Sequence, residues 1–298
     1  MNPALLLVLV MLGAGYACAR FDLIPREASD GLHRFVLYIC LPAMIWRLVP
    51  TLQREPDLWL IVLTPWLLLG VSAGLTYGLC RALGWSRGVT GALLLCVPLG
   101  NTSFLGFPMV AALLGEPALR YAVLYDQLGS FLALSTYGLF IVSYFSGGAP
   151  PSAAQVLRRI VSFPPFIALL LAFTPLVRFA VLQPVWQRLS ETLVPVAMFA
   201  VGLRIELRPP RPYAGVAAGL ALKLLVVPAL AWLFLRAVDA QPLLLRVAVL
   251  EASMPAMITA GAFAMLAGLA PELAAALVGY GVLISLVTLP LIAALLGS

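Results

Sequence analysis

Apolar runs about one bilayer in length, separated by short polar gaps, recur from one end of the chain to the other. They lie at 3–19, 31–50, 58–81, 88–114, 118–145, 156–178, 186–207, 213–237, 242–268 and 272–296. A helix crossing the hydrocarbon core needs ~20 predominantly apolar residues, so the pattern predicts ten membrane helices joined by short loops. The first run, from Pro3 to Ala19, lacks the charged start of a secretion signal and leads into further spans. It reads as helix one and not as a cleaved leader.

The longest polar gap, GGAPPSAAQ at 147–155, falls between spans five and six. It divides the chain into a five-helix repeat at 1–146, a linker at 147–155 and a second five-helix repeat at 156–298. Corresponding spans share punctuation: Pro42 in LYICLPAMIW and Pro195 in ETLVPVAMFA, then LLGEP ending span four and AGLAP ending span nine. Five is odd, so the second half enters the membrane from the opposite side and the repeats are inverted.

Two spans carry residues that a continuous helix tolerates poorly. In LLLCVPLGNTSFLGFPMVAALLG, Pro98, Gly100, Asn101, Thr102, Ser103, Gly106 and Pro108 are crowded together. Proline removes a backbone donor and presses on the carbonyl four residues back, and glycine adds a further helix penalty. In span nine Glu251, Ser253, Met254 and Pro255 interrupt PLLLRVAVLEASMPAMITAGAFAMLAG, with Thr259 and Gly261 following. Helix breaks are expected at Pro42, Pro98, Pro108, Pro195 and Pro255. Unwound backbone at membrane depth is allowed only where it is buried in protein or lines a wet cavity. Two broken spans in matching positions of two halves point to a secondary transporter with its site between inverted repeats. There, half-helix N-termini and unwound carbonyls are expected to offer unpaired groups to an ion or substrate.

Composition fixes the class. The chain is 63% hydrophobic and 10% charged with a mean hydropathy of +1.06, far from soluble usage, which makes it an integral membrane protein with no room for a soluble domain. The net charge of +6 rests on arginines in the loops, so it argues for membrane topology and against nucleic acid. Loops after odd-numbered spans hold Arg20, Arg26, Arg34, Arg81, Arg87, Arg158, Arg159, Arg204, Arg208 and Arg211. Loops after even-numbered spans hold Arg47, Arg54, Arg120, Arg178, Arg188, Arg236 and Arg246. The excess places the odd loops in the cytoplasm and both termini outside a bacterial inner membrane. Cys18, Cys40, Cys80 and Cys96 lie in apolar spans without metal-ligand spacing and read as packing residues; no metal or cofactor is expected.

A charge inside the bilayer is costly and asks for a role. Lys223, the only lysine, sits deep in GLALKLLVVPAL. It is either a functional cation or a buried amine satisfied by carbonyls. Asp126 and Gln127 in VLYDQLGS, and Glu251 just before the second break, are its candidate partners, or proton carriers. The alternative for each acid is a neutral carboxyl bonded to nearby backbone. Asn101 adds an amide to the first break and is expected to line the site, with Gly100, Thr102, Ser103, Ser253, Met254 and Pro255 around it. Hydroxyls in membrane helices commonly bond their own backbone, so Ser103, Ser253 and Thr259 carry less weight. His33, Arg34 and Arg47 lie toward the ends of span two, with His33 expected to face a loop, and Glu191 and Glu206 bracket span seven and should face water.

The segments FVLYICLPAMIW, GNTSFLGFP, LYDQ, LSETLVPVAMFAVGL, ALKLLVVPAL and RVAVLEASMP resemble the auxin efflux carrier family, which includes plant auxin exporters and bacterial carriers of organic acids. The resemblance runs over nearly the whole chain, with GNTSFLGFP and RVAVLEASMP the distinctive parts. It implies an all-α fold of ten transmembrane helices in inverted five-helix repeats, bile-acid-symporter/NhaA-like, with helices four and nine crossing at their breaks. It also implies a scaffold domain moving against a transport domain, and a small carboxylated substrate bound beside the crossover. Asn101, Pro255 and the basic Lys223 match the family pattern by position. Gly100 departs from it, since plant members carry proline before the asparagine, which weakens the case for an aromatic substrate. The short 147–155 linker also argues for a bacterial-type carrier. Family members often dimerise, although no dimer face is legible here.

The resulting expectation is a carrier of small organic anions working by elevator-like alternating access, driven by a proton gradient or the membrane potential. Alternatives are a sodium-coupled symporter of the bile-acid type, with Na⁺ held around Glu251 and Asp126, and a membrane receptor without transport. An enzyme is not expected, since the chain has one His and neither HExxH nor GxSxG.

Overall fold

The computed structural model describes residues 3–52, 57–174, 177, 180–205 and 214–297. Arg54, Arg178, Arg208 and Arg211 of the loop count, and Glu206, expected to face water, lie outside the described residues. Fourteen helical segments of nine residues or more organise the described residues: α1 Pro3–Arg20, α2 Ala28–Leu52, α3 Leu58–Ala82, α4 Arg87–Cys96, α5 Thr102–Leu114, α6 Glu116–Ser146 and α7 Ala153–Val161. They continue as α8 Pro164–Ala172, α9 Gln183–Glu191, α10 Leu193–Arg204, α11 Ala214–Ala237, α12 Pro242–Ala252, α13 Ile258–Leu266 and α14 Pro271–Gly297.

Six of these, α1, α2, α3, α6, α11 and α14, are long and apolar enough to cross a membrane, and the bent pair α7 and α8 raises the number to seven. The other expected spans are divided into shorter helices. Span four is α4 and α5, span nine is α12 and α13, and span seven is α9 and α10, parted at Thr192. Pro195 explains that last division, because it lies in the first turn of α10 and cannot donate to the carbonyl of Glu191.

Pro42 and Pro108 do not break their helices as expected. Each follows a π-helical turn by two residues: Val36–Cys40 before Pro42 and Thr102–Gly106 before Pro108. Leu222–Val226 before Pro228 repeats the arrangement. In all three the carbonyl four residues before the proline belongs to the widened turn. The extra residue takes up the clash and the missing N–H, so the helix bulges and continues. Further π turns at Asp126–Ser130 and Leu134–Gly138 contain glycine and no proline.

The chain forms two compact units, one built from the described parts of 1–56, 103–123 and 159–206, the other from those of 57–102, 124–158 and 207–298. In the first, α1 packs along α10 at backbone contact. A methyl group on Gly15 would meet the Phe199 carbonyl oxygen at 2.2 Å, and one on Gly202 would meet that of Leu12 at 2.2 Å. Lipid tails are as apolar as leucine, so helices in a bilayer gain by close approach between small residues more than by burying bulk. Polar ties reinforce the unit: Trp46 Nε1 donates to the Ala168 carbonyl at 3.1 Å, Arg47 pairs with Glu116, and Arg204 pairs with Asp30 and donates to Ser29 Oγ. His33 is buried with its ring 4.2 Å from that of Phe104, a correction to the expected loop-facing position. Glu191 is exposed as expected.

The second unit has a core of α4, α6, α13 and α14 side chains that includes Leu93, Leu95, Ile141, Ala260, Leu273 and Leu277. Arg87 closes its rim by donating to the carbonyls of Tyr144 and Phe145 at the end of α6, favoured by the helix dipole there. Pro65 sits against Gly129, where a methyl group would meet the proline ring at 2.3 Å. Cys40, Cys80 and Cys96 are buried and unbridged, as packing residues would be.

Candidate functional site

The second unit holds both interruptions, and they meet. Helix α4 ends at Cys96, and Val97 to Asn101 are unwound; α12 ends at Ala252, and Ser253 to Met257 are unwound. The two stretches pair as an isolated antiparallel bridge between Gly100 and Ala256. Asn101 N donates to the Pro255 carbonyl at 2.8 Å, and Met257 N donates to the Leu99 carbonyl at 2.9 Å. Pro98 and Pro255 thus mark true breaks. The Asn101 N–H and the Pro255 carbonyl, however, satisfy each other across the breaks. Buried peptide groups must be paired somewhere, and these pair across the breaks.

Charge and amides gather around this bridge. Lys223 reaches in from the π turn of α11, 4% exposed, with a hydrogen bond or ion pair to none of the described residues. A methyl group on Gly100 would lie 3.1 Å from its Nζ, so the missing side chain is what lets the amine rest on the bridge. Glu251, at the end of α12, is 0% exposed, and both carboxylate oxygens lack a hydrogen-bond partner among the described residues. It interacts electrostatically with Lys223 and with Asp126. Asn101 is 1% exposed with its Nδ2 likewise unpartnered.

A third element ties in through hydrogen bonds. Thr102 Oγ1 donates to Asp126 Oδ1 at 2.5 Å, and Gln127 Nε2 donates to Asp126 Oδ2 at 2.7 Å. Asp126 is therefore held by two side-chain donors, while Glu251 is held by none. Ser253 Oγ donates to the Val249 carbonyl at 2.6 Å, the self-bonding expected of membrane hydroxyls.

Between these groups lies a small cavity of about 20 Å³, lined by Gly100, Thr102, Lys223 and Glu251 together with Pro65, Leu68, Leu69, Tyr125, Ser130 and others. That is room for about one water-sized group. Of the expected site residues, Gly100, Asn101, Thr102, Lys223, Asp126, Gln127, Glu251, Ser253, Met254 and Pro255 all fall in this unit, and Ser103 belongs to the other. The wall residues from α3 and α6 were not foreseen. In apolar spans nothing sets Pro65 or Leu68 apart except a fold that turns them inward.

The cavity can present the Lys223 amine to an anion. It also holds the Glu251 carboxyl, whose oxygens make no hydrogen bond among the described residues and could take a proton or a metal cation. Among the described residues no cluster of three or more His, Cys, Asp or Glu suited to a metal ion occurs.

The profile of a family described as membrane transport protein matches residues 1–293. An uncharacterised transporter of Methanothermobacter thermautotrophicus is 29% identical over 97% of this chain and 96% of its own length. An uncharacterised transporter of Methanocaldococcus jannaschii is 28% identical over 85% of each chain. A candidate malonate transporter of Rhizobium meliloti is 28% identical over 81% of this chain and 78% of its own. With its two proline-broken helices and a family match spanning nearly its full length, the chain belongs to the membrane transport protein family, of the auxin efflux carrier type, and is a membrane transporter.

Proposed function

We propose that the protein carries a small organic anion, with a dicarboxylate such as malonate as the leading substrate. The observation that carries this reading is Lys223: a buried amine that makes no hydrogen bond or ion pair with the described residues and rests on the paired helix break at Gly100. A buried charge without a hydrogen-bonding partner is costly, and a carboxylate that supplies charge-assisted hydrogen bonds offsets that cost. The relative named for malonate supports the substrate class. In this reading Gly100, Asn101, Thr102, Ser253, Met254 and Pro255 surround the substrate, and Asp126, Gln127 and Glu251 handle a coupling ion.

The cavity is too small for a dicarboxylate, so its walls must part during transport. Elevator-like alternating access, with the unit that carries the bridge as the transport domain, accounts for this. The ten-span arrangement of two inverted five-helix repeats, 1–146 and 156–298 about a linker at 147–155, is the topology that goes with it. The protein would then sit in an inner membrane with both termini outside.

Proton coupling follows from Glu251, whose unpartnered carboxylate is neutral when protonated and free to exchange its charge during the cycle. The same bare oxygens favour sodium as the second reading. Uptake of labelled malonate, other dicarboxylates and monocarboxylates into proteoliposomes separates these outcomes. Saturable uptake driven by an inward proton gradient, unchanged when sodium is replaced by choline, supports proton coupling, and uptake abolished by that replacement supports sodium. The absence of saturable flux for every acid tested overturns the assignment.

A further inference from the structure

The segment read as the start of span six is a separate helix with its own chemistry. Helix α7 opens with a reciprocal cap: the Ser152 backbone N donates to Gln155 Oε1 at 2.8 Å, and the Gln155 backbone N donates to Ser152 Oγ at 3.2 Å. Such a cap satisfies two first-turn donors and fixes where a helix begins. At 100° per residue Val156, Leu157, Ile160 and Val161 fall on one face, and Gln155, Arg158 and Arg159 fall opposite.

A two-faced helix of a globular protein buries its apolar stripe, and α7 does not. It contains no buried residue, and Leu157 and Val161 are 61% and 51% exposed. Helix α8 follows at a bend of 66° and also exposes apolar side chains, Leu170 at 55% among them. If α8 lies along the bilayer normal facing lipid, α7 runs within about 24° of the membrane plane, given that bend of 66°. At that inclination the apolar stripe reaches acyl chains while the arginines remain among headgroups.

We propose that α7 is an interfacial helix that binds the anionic phospholipid surface of the membrane. Leu157 and Val161 insert below the headgroups, and Arg158, with Arg159 on the same face, contacts lipid phosphates. Each arginine near an anionic leaflet contributes about a fivefold gain in surface affinity.

The test uses the full chain in nanodiscs of phosphatidylcholine, with and without phosphatidylglycerol. In a background with Cys18, Cys40, Cys80 and Cys96 replaced by serine, an environment-sensitive fluorophore is placed in turn at Leu157→Cys, Val161→Cys, Gln155→Cys and Arg158→Cys. Quenching by lipids brominated near the headgroup is expected at 157 and 161 and not at 155 or 158. Quenching at 157 should fall at least about twofold without phosphatidylglycerol or in Arg158→Glu, as loss of an interfacial arginine predicts. Equal quenching at all four positions overturns the proposal. So does shielding of 157 and 161 from both brominated lipid and aqueous iodide, which would mean a protein covers the stripe. Hydrogen exchange on the chain with its native cysteines is the second readout. Slower exchange in 153–161 with phosphatidylglycerol supports the proposal, and unchanged rates overturn it.

Discussion

Glu251 and Asn101 are buried with side-chain polar atoms left over, and Lys223 is buried against the bridge at Gly100. The amine and the carboxylate interact without forming an ion pair, so each tempers the cost of burying the other. Lys223→Met or Glu251→Gln alone should cost about 1 to 3 kcal/mol of stability, read as a lower melting midpoint, and the double variant should recover most of that loss. Thermal melts in one detergent check this, and additive losses would show that the two groups do not sense each other. Asn101→Ala is a different case. Its structural bond is made by backbone N, which alanine keeps, and the amide it removes has an unpartnered Nδ2, so stability should fall by no more than about 1 kcal/mol, read as a small shift of the melt. Stabilisation by added malonate should disappear with the amide, and a full malonate shift in this variant would remove Asn101 from the site.

Elements show why only part of this was legible beforehand. The breaks at Pro98 and Pro255 were readable because proline coincides there with glycine or other poor helix formers at membrane depth. Pro42 and Pro108 look similar in sequence, yet their helices absorb them through a π turn, a local choice that apolar periodicity does not record. The approach of Lys223 to Gly100, and of Glu251 to Asp126, depends on which helices become neighbours. No spacing along one chain encodes that. The same reasoning makes Pro228 informative, since its π turn aims Lys223. In Pro228→Ala the restored N–H allows a regular helix, which turns residue 223 by up to about 100°. Malonate-induced stabilisation should weaken while the melt in the absence of ligand does not fall; unchanged binding would show that the bulge is not needed for aim. At the α1 and α10 contact, Gly15→Val drives a side chain into the Phe199 carbonyl and should cost about 2 kcal/mol or more, read as a lower melting midpoint. An unshifted melt would contradict backbone contact between these helices.

For the whole molecule, the decisive relation is between a site with room for little more than a water-sized group and a family whose members transport. In the proposed carrier, bound anion compensates the Lys223 amine as the site crosses the hydrophobic layer. The most direct test is the concentration dependence of labelled malonate uptake into proteoliposomes containing equal amounts of the unaltered chain or Lys223→Met. The account predicts saturable uptake by the former, and in the variant an uptake efficiency lower by about thirtyfold or more, as expected when a buried charged contact is lost. Equal saturable uptake by both would show that the amine on the paired breaks is not where the anion binds.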